Sequence, residues 1–251
     1  MSERERESRL REFLGLGPDI EIVAADTRWP VTAPEIEAHL LRYNIEWHVI
    51  PSASAVAFDD RYIERLYPMR SRDFGRATHL RPLSYRAALT AGHRRHQGHI
   101  IGVEATRKPR YLPGNRQYYG TPYGFDPTAD PFAEYIGRAG FLTGTRYAHN
   151  YISLREFVDV VNSDWRAREL MPDGYRLTIC PPAVFNLIGT IFHPEWSETE
   201  SLELGFYRDD HGNAKCYGVG SNAPGDFSYI HEVETDSEWT LLGFRTALVP
   251  V

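Results

Sequence analysis

The sequence predicts an α+β protein: an antiparallel sheet, concentrated in the C-terminal region, packed with several helices. Two observations predict it. The last fifty residues hold four strand-like runs, 200–208, 215–219, 228–234 and 240–249, separated by the turn-rich strings DDHGN, NAPGD and TDSE. Upstream, helix-start signals and helical apolar spacing alternate with short β-like runs, without internal repeats or low-complexity linkers.

Taken in order, residues 2–16 set charged side chains around Leu10, Phe13 and Leu14, the pattern of an N-terminal helix. Residues 21–25 read as a strand. Thr32, followed by Ala33, Pro34 and Glu35, reads as a helix start with Thr32 as cap and Glu35 at the capping-box position, the helix running to about Tyr43. Residues 45–50 are the next strand. Residues 59–67 read as helical, as do 82–96, opened by Pro82 where a missing N–H costs nothing and closed by Gly98. Residues 99–106 alternate as a strand. From 111 to 130 the prolines and glycines exclude regular structure, and a loop of that length carrying five aromatics reads as functional. Residues 131–138 and 153–170 read as helices, the second with Ser153 as cap, Glu156 three residues later and Phe157, Val160 and Val161 as apolar positions. Residues 181–192 are apolar and fit either helix or strand. Together these make one α+β domain over 1–251, with 1–75 as a candidate N-terminal subdomain.

Composition narrows the class. With 42% hydrophobic and 25% charged residues the chain reads as a soluble globular protein. It holds no apolar run of membrane-spanning length, and its start, MSERERESRLREF, lacks a signal peptide's apolar core, so a cytoplasmic protein is expected. Cys180 and Cys216 are the only cysteines, without CxxC spacing, and are expected to be buried thiols. Between 61 and 116 there are thirteen Lys or Arg against Glu64, Asp73 and Glu104, although the whole chain carries −6. A basic island on an acidic protein points to an anionic ligand. The low pI and the lack of zinc-finger spacing, an RNP-like pattern or a basic tail argue against nucleic acid.

The chemistry-bearing residues concentrate between Arg81 and Phe125. On the strand HIIGVEATR, Glu104 shares a face with Gly102 and Thr106. A partly apolar pocket there would raise its pKa toward that of a general acid/base, and nearby arginines would lower it. The bland alternative is a strand glutamate paired with Arg107 or Arg110. Arg81 is the candidate carboxylate clamp, with Arg86, Arg94 and Arg95 competing. His93, His96 and His99 invite a metal reading, but Gly98 displaces His99, there is no HExxH, and HPEW at His193 is not an HxD start. Imidazoles acting as hydrogen-bond donors or proton shuttles are the preferred reading, with no metal and no cofactor. Tyr111, Tyr118, Tyr119, Tyr123 and Phe125 would stack on an aromatic substrate or cover a cationic intermediate; as readily, they anchor the loop in the core. No GxSxG, P-loop or GxGxxG pattern occurs in a fitting context.

The strings RPLSYRAAL, HRRHQGHIIGVEATRKPRY, FNLIGTIFHPEW and FSYIHEVETDSEWTLLGFRTALVP resemble the bacterial β-carboline-forming Pictet–Spengler cyclases of the McbB type, from about Arg81 onward. The resemblance implies a homodimeric, cofactor-free enzyme that joins a tryptophan-type amine to an aldehyde. It implies Glu104 as acid/base with Arg81 and His96 as its catalytic companions. His93 and Arg94 are the alternates at the last two roles. A histidine-cluster metal-dependent oxygenase or hydrolase, and a nonenzymatic anion-binding protein, are the competing expectations. The aldehyde, the substituents on tryptophan, the stereochemistry and the final oxidation level are not written in the sequence.

Overall fold

The computed structural model describes residues 1–24, 27–30, 32–52, 54–56, 97–110, 112, 114, 116–120, 126–141, 143–198, 201–208, 211, 213–220, 229–236, 238, 240 and 242–251. The helices expected at 59–67 and 82–96 lie outside these residues. Among the described residues there are five α-helices and two four-stranded, mostly antiparallel sheets, the predicted α+β class.

Helix α1 (Glu3–Leu14) begins on a complete capping box between Ser2 and Glu5 and ends at Gly15, whose φ of 67° is the left-handed turn glycine takes without strain. It buries Leu10 and Leu14. The strand expected at 21–25 does not form over 21–24: Ile22 alone is buried, and its carbonyl accepts the Ser52 N–H. Helix α2 (Pro34–Arg42) is capped by Ala33 without a side-chain bond, so Thr32 is not its cap. Glu35 thereby falls at the second helical position, one short of where a side chain returns to the cap.

The first sheet contains β1 (Ile45–Ile50), β2 (His99–Glu104), β3 (Tyr175–Ile179) and β8 (Thr246–Pro250) in the order β1-β2-β8-β3, every pair antiparallel. The second contains β4 (Leu202–Arg208), β5 (Ala214–Gly220), β6 (Tyr229–Val233) and β7 (Leu242–Phe244) in the order β6-β5-β4-β7. Strands β4, β5 and β6 are the expected meander. The fourth strand of that meander is corrected: the run 240–249 breaks at Arg245, β7 lies parallel beside β4, and β8 enters the other sheet. The run is buried on both sides of the break, so apolar periodicity gave no sign of it.

Between β2 and β3, α3 (Ala133–Arg138) is followed by α4 (Tyr151–Ala167). Helix α4 is capped by Asn150, which accepts from Ile152 N and Ser153 N; Ser153, the expected cap, lies inside the helix and donates its hydroxyl to Asn150 O. Asn162 ties α4 to β3, donating to Leu177 O and accepting from Leu177 N. Helix α5 (Pro182–Phe192) resolves the ambiguous apolar run; all its residues but Thr190 are buried. A helix covered on all sides has no polar stripe to read. Gly205 on β4 admits its start, since a Cβ there would lie 2.8 Å from Pro182.

Two hydrophobic clusters organise the molecule, and each draws on both sheets. One joins α1 and α5 to β1, β2, β5 and β8; the other joins α2, α3 and α4 to β3, β4, β7 and β8. Within the second, His39 of α2 lies against the rings of Tyr43 and Trp165, and its Nε2 is buried without a partner. Burial pushes its pKa from 6.5 to about 4, so the folded state holds it neutral. A depressed histidine contributes stability above its ordinary pKa and loses it as pH falls toward the folded value. Chemical denaturation is therefore expected to show the wild type losing about 1–2 kcal/mol between pH 7 and pH 5 relative to His39→Phe. Equal pH slopes for the two proteins would refute this.

Candidate functional site

Of the residues singled out from the sequence, Arg81, His93, Arg94, His96, Tyr111, Tyr123 and Phe125 lie outside the described residues, as do Arg86 and Arg95. Glu104, Tyr118 and Tyr119 lie within them, and His99 is exposed at the start of β2.

Glu104 ends β2, opposite Ile45 of β1, and is fully buried. Its carboxylate is satisfied on one side only. Oε2 accepts Arg146 Nη1 at 2.8 Å, Thr246 N at 3.1 Å and Thr246 Oγ1 at 2.9 Å. Oε1 has no hydrogen-bond partner, the only buried carboxylate oxygen among the described residues left so. Arg107 and Arg110, the partners offered by proximity in sequence, are exposed, and Arg146 takes that place from 42 residues away.

Arg146 is shared. Its Nε and Nη2 form a fork on Asp130, with distances of 2.6–3.1 Å, and Nη1 also donates to Phe244 O at 3.3 Å. The rings of Tyr119 and Phe132 lie 4.4 and 5.0 Å from the guanidinium carbon. A second buried arginine, Arg245, occupies the point where the chain crosses between sheets. It forms a fork with Glu203 of β4 at 2.7 and 2.9 Å, and Nη1 donates to the carbonyls of Glu104 and Thr106 at 2.6 and 2.7 Å. Its guanidinium carbon lies 3.7 Å from the Trp196 ring. Tyr119 donates to Glu203 at 3.0 Å, and Lys108 donates to Ser201 O. Gly243 makes room for this packing, because a Cβ there would approach Tyr147 and the Tyr119 hydroxyl to 2.8–2.9 Å.

Tyr119 is thus fully buried within the ionic lattice, the anchoring alternative for a loop aromatic, and Tyr118 is half-buried beside it. Asp130, Arg146, Glu203 and Arg245 escaped the sequence analysis. They lie far apart along the chain in no motif, and only GFRT, a lone arginine in an apolar run, hinted at one of them.

The lattice shifts two of its carboxyl groups in opposite directions. Burial pushes Glu104 upward, but Arg146, Arg245 and the Thr246 donors outweigh it and hold Glu104 below the ordinary carboxylate range. Burial pushes Asp130 above its ordinary range against the pull of Arg146. Of the two opposing influences expected on Glu104, the guanidiniums prevail over burial, and Glu104 is held as the anion.

A separate group, Glu46 and His48 of β1 with His193 at the end of α5, brings ligand-type atoms within 4.8 Å of one another. Among the described residues no helix is long and apolar enough to cross a membrane. The chain matches no protein-family model, no curated protein and no solved structure.

Breaking one partner of a buried ion pair strands the other charge. Arg245→Met is expected to lower unfolding free energy in urea by about 3–5 kcal/mol, and adding Glu203→Leu in the same chain to recover part of that loss. Additive losses would show that the pair is not coupled.

Proposed function

We propose that the chain is a small-molecule cyclase of the Pictet–Spengler type, joining tryptophan or a tryptophan derivative to an aldehyde, with Glu104 at the reacting centre. The observation that carries this reading is the unpartnered Oε1 of a buried, ionised glutamate. The resemblance of the surrounding strings supplies the reaction class.

In this reading the substrate ammonium first loses a proton and its nitrogen adds to the aldehyde carbon, forming the C–N bond. Protonation of the resulting hydroxyl releases water and leaves an iminium cation. An anion in a buried, low-dielectric setting stabilises that cation more than one in water would. Indole C2 attacks the iminium carbon to form the C–C bond, and the C2 proton passes to Glu104 Oε1. That proton sits on a cationic, dearomatised ring and is strongly acidic, so a carboxylate with a lowered pKa suffices as base. The same lowered pKa makes Glu104 a poor acid. Protonation of the departing hydroxyl then falls to another group, for which the resemblance nominates His96, with Arg81 holding the substrate carboxylate. Glu104 is enclosed, so the side chains over Oε1 part to admit the substrate. The resemblance also carries a homodimer.

The test is purified protein incubated with L-tryptophan and a panel of small aldehydes, read by LC–MS against a boiled blank. Wild type is expected to form tetrahydro-β-carboline. Glu104→Gln, which still accepts from Arg146 and Thr246, is expected to lose about 10²–10⁴-fold in rate while melting cooperatively. Undiminished turnover in the variant moves the base elsewhere. No turnover in wild type, together with a large loss of stability in the variant, leaves Glu104 as a structural counter-ion of Arg146.

A further inference from the structure

We propose that Glu46, His48 and His193 bind one divalent first-row transition ion, zinc or ferrous iron, on the face of the first sheet opposite Glu104. Strand pairing places the two sites. Glu46 faces Val103 and His48 faces Ile101 across β1 and β2, whereas Glu104 faces Ile45. Side chains alternate along a strand, so the histidine group and Glu104 project from opposite faces. The proposal does not rest on the cyclase reading.

The geometry is that of three donors around a gap. His48 Nε2 and His193 Nε2 each lie 3.6 Å from Glu46 Oε2. That is too long for a good hydrogen bond. Both ring nitrogens of His48, a side chain only 1% exposed, lack a hydrogen-bond partner, as does Nε2 of His193. Burying a polar group without a hydrogen bond is costly. An ion bonded at ~2.0–2.2 Å to each donor places the donors about 3–3.5 Å apart. The two edges from Glu46 then shorten by a few tenths of an ångström, and the imidazole–imidazole edge, at most 4.8 Å, by no more than about 1.3–1.8 Å.

The surroundings are those of a ligand set. His193 Nδ1 lies 2.9 Å from Glu195 Oε1, a contact that puts the ring hydrogen on Nδ1 and turns the Nε2 lone pair toward Glu46. The His193 ring stacks on Trp196 at 4.6 Å and 6°, and the His48 ring lies against Phe192 at 4.7 Å. Arg6 donates to Glu46 Oε2 at 3.0 Å and to Trp47 O at 3.4 Å, so it orients the carboxylate but sets a positive charge against an incoming ion. Two imidazoles and one carboxylate suit zinc or ferrous iron, and three protein ligands leave coordination positions open. The sequence signal is EWH, two ligands spaced to share one strand face, answered by HPE well over a hundred residues later.

The decisive experiment titrates chelator-stripped full-length protein with Co²⁺, reading the visible d–d absorption, with Zn²⁺ as competitor. Wild type is expected to bind one Co²⁺ per chain and release it to Zn²⁺. Glu195→Gln, an outer partner, is expected to weaken binding roughly 10–100-fold. Glu46→Gln and His193→Gln, both at partly exposed positions, are expected to weaken it further and to change the absorption envelope. Arg6→Gln, which lifts the competing charge, is expected to tighten it. Thermal melts of the stripped proteins establish that each variant is folded. Absence of stoichiometric Co²⁺ binding overturns the proposal and leaves a histidine–carboxylate cluster. So does binding that Glu46→Gln and His193→Gln leave unchanged, which places the ion on other histidines.

Discussion

Arg146 and Arg245 are guanidiniums removed from water, and the arrangement of both sheets follows from what such groups demand. A guanidinium offers five N–H donors and accepts nothing, so burying it requires acceptors at fixed angles. Arg245 finds them on Glu203 of the second sheet and on two carbonyls at the end of β2 in the first. Arg146 finds them on Asp130, Glu104 and the Phe244 carbonyl of β7. Taking charges from water costs several kcal/mol per ion, returned only when geometry is good and partners are complete. The sheets therefore cannot slide past one another without stranding a buried charge.

The apolar clusters fit around that constraint. Helix α5 packs in one cluster and α4 in the other, and both clusters include strands of the two sheets. The chain crosses between the sheets between β7 and β8, and Arg245 is the crossing residue. Its side chain fixes the crossing in place, while β7 and β8 continue the apolar layers on either side.

Glu104 holds two positions in this scheme. Through Oε2 it is a counter-ion of the lattice, and through Oε1 it is a buried anion with acceptor capacity left over. The first sheet thus presents distinct chemistry on its two faces: an enclosed carboxylate among arginines and aromatics on one, and a carboxylate with two imidazoles whose Nε2 atoms lack hydrogen bonds on the other. Within a sheet the two-residue alternation of side chains produces this separation.

Much of the framework was legible from local pattern. The β4-β5-β6 meander followed from turn-rich strings between strand-like runs, α1 from charged residues set around an apolar stripe, and β2 from alternation. Glu104 stood out as a carboxylate in an otherwise apolar strand. Legibility failed where the deciding partner lay elsewhere in the chain. Thr32 and Ser153 lost their capping roles by one or a few residues of helix phase, the β3 run YRLTI passed unnoticed, and the break at Arg245 left no periodic trace.

The sequence by itself determined the α+β class, the meander and the candidacy of Glu104, because these rest on propensity and periodicity within a few residues. Only the tertiary structure decided Glu104's ionisation state, the joining of the two sheets and the assembly of Glu46 and His48 with His193. Each depends on Coulomb and hydrogen-bond partners brought together from distant parts of the chain, whose strength is set by the burial that folding creates.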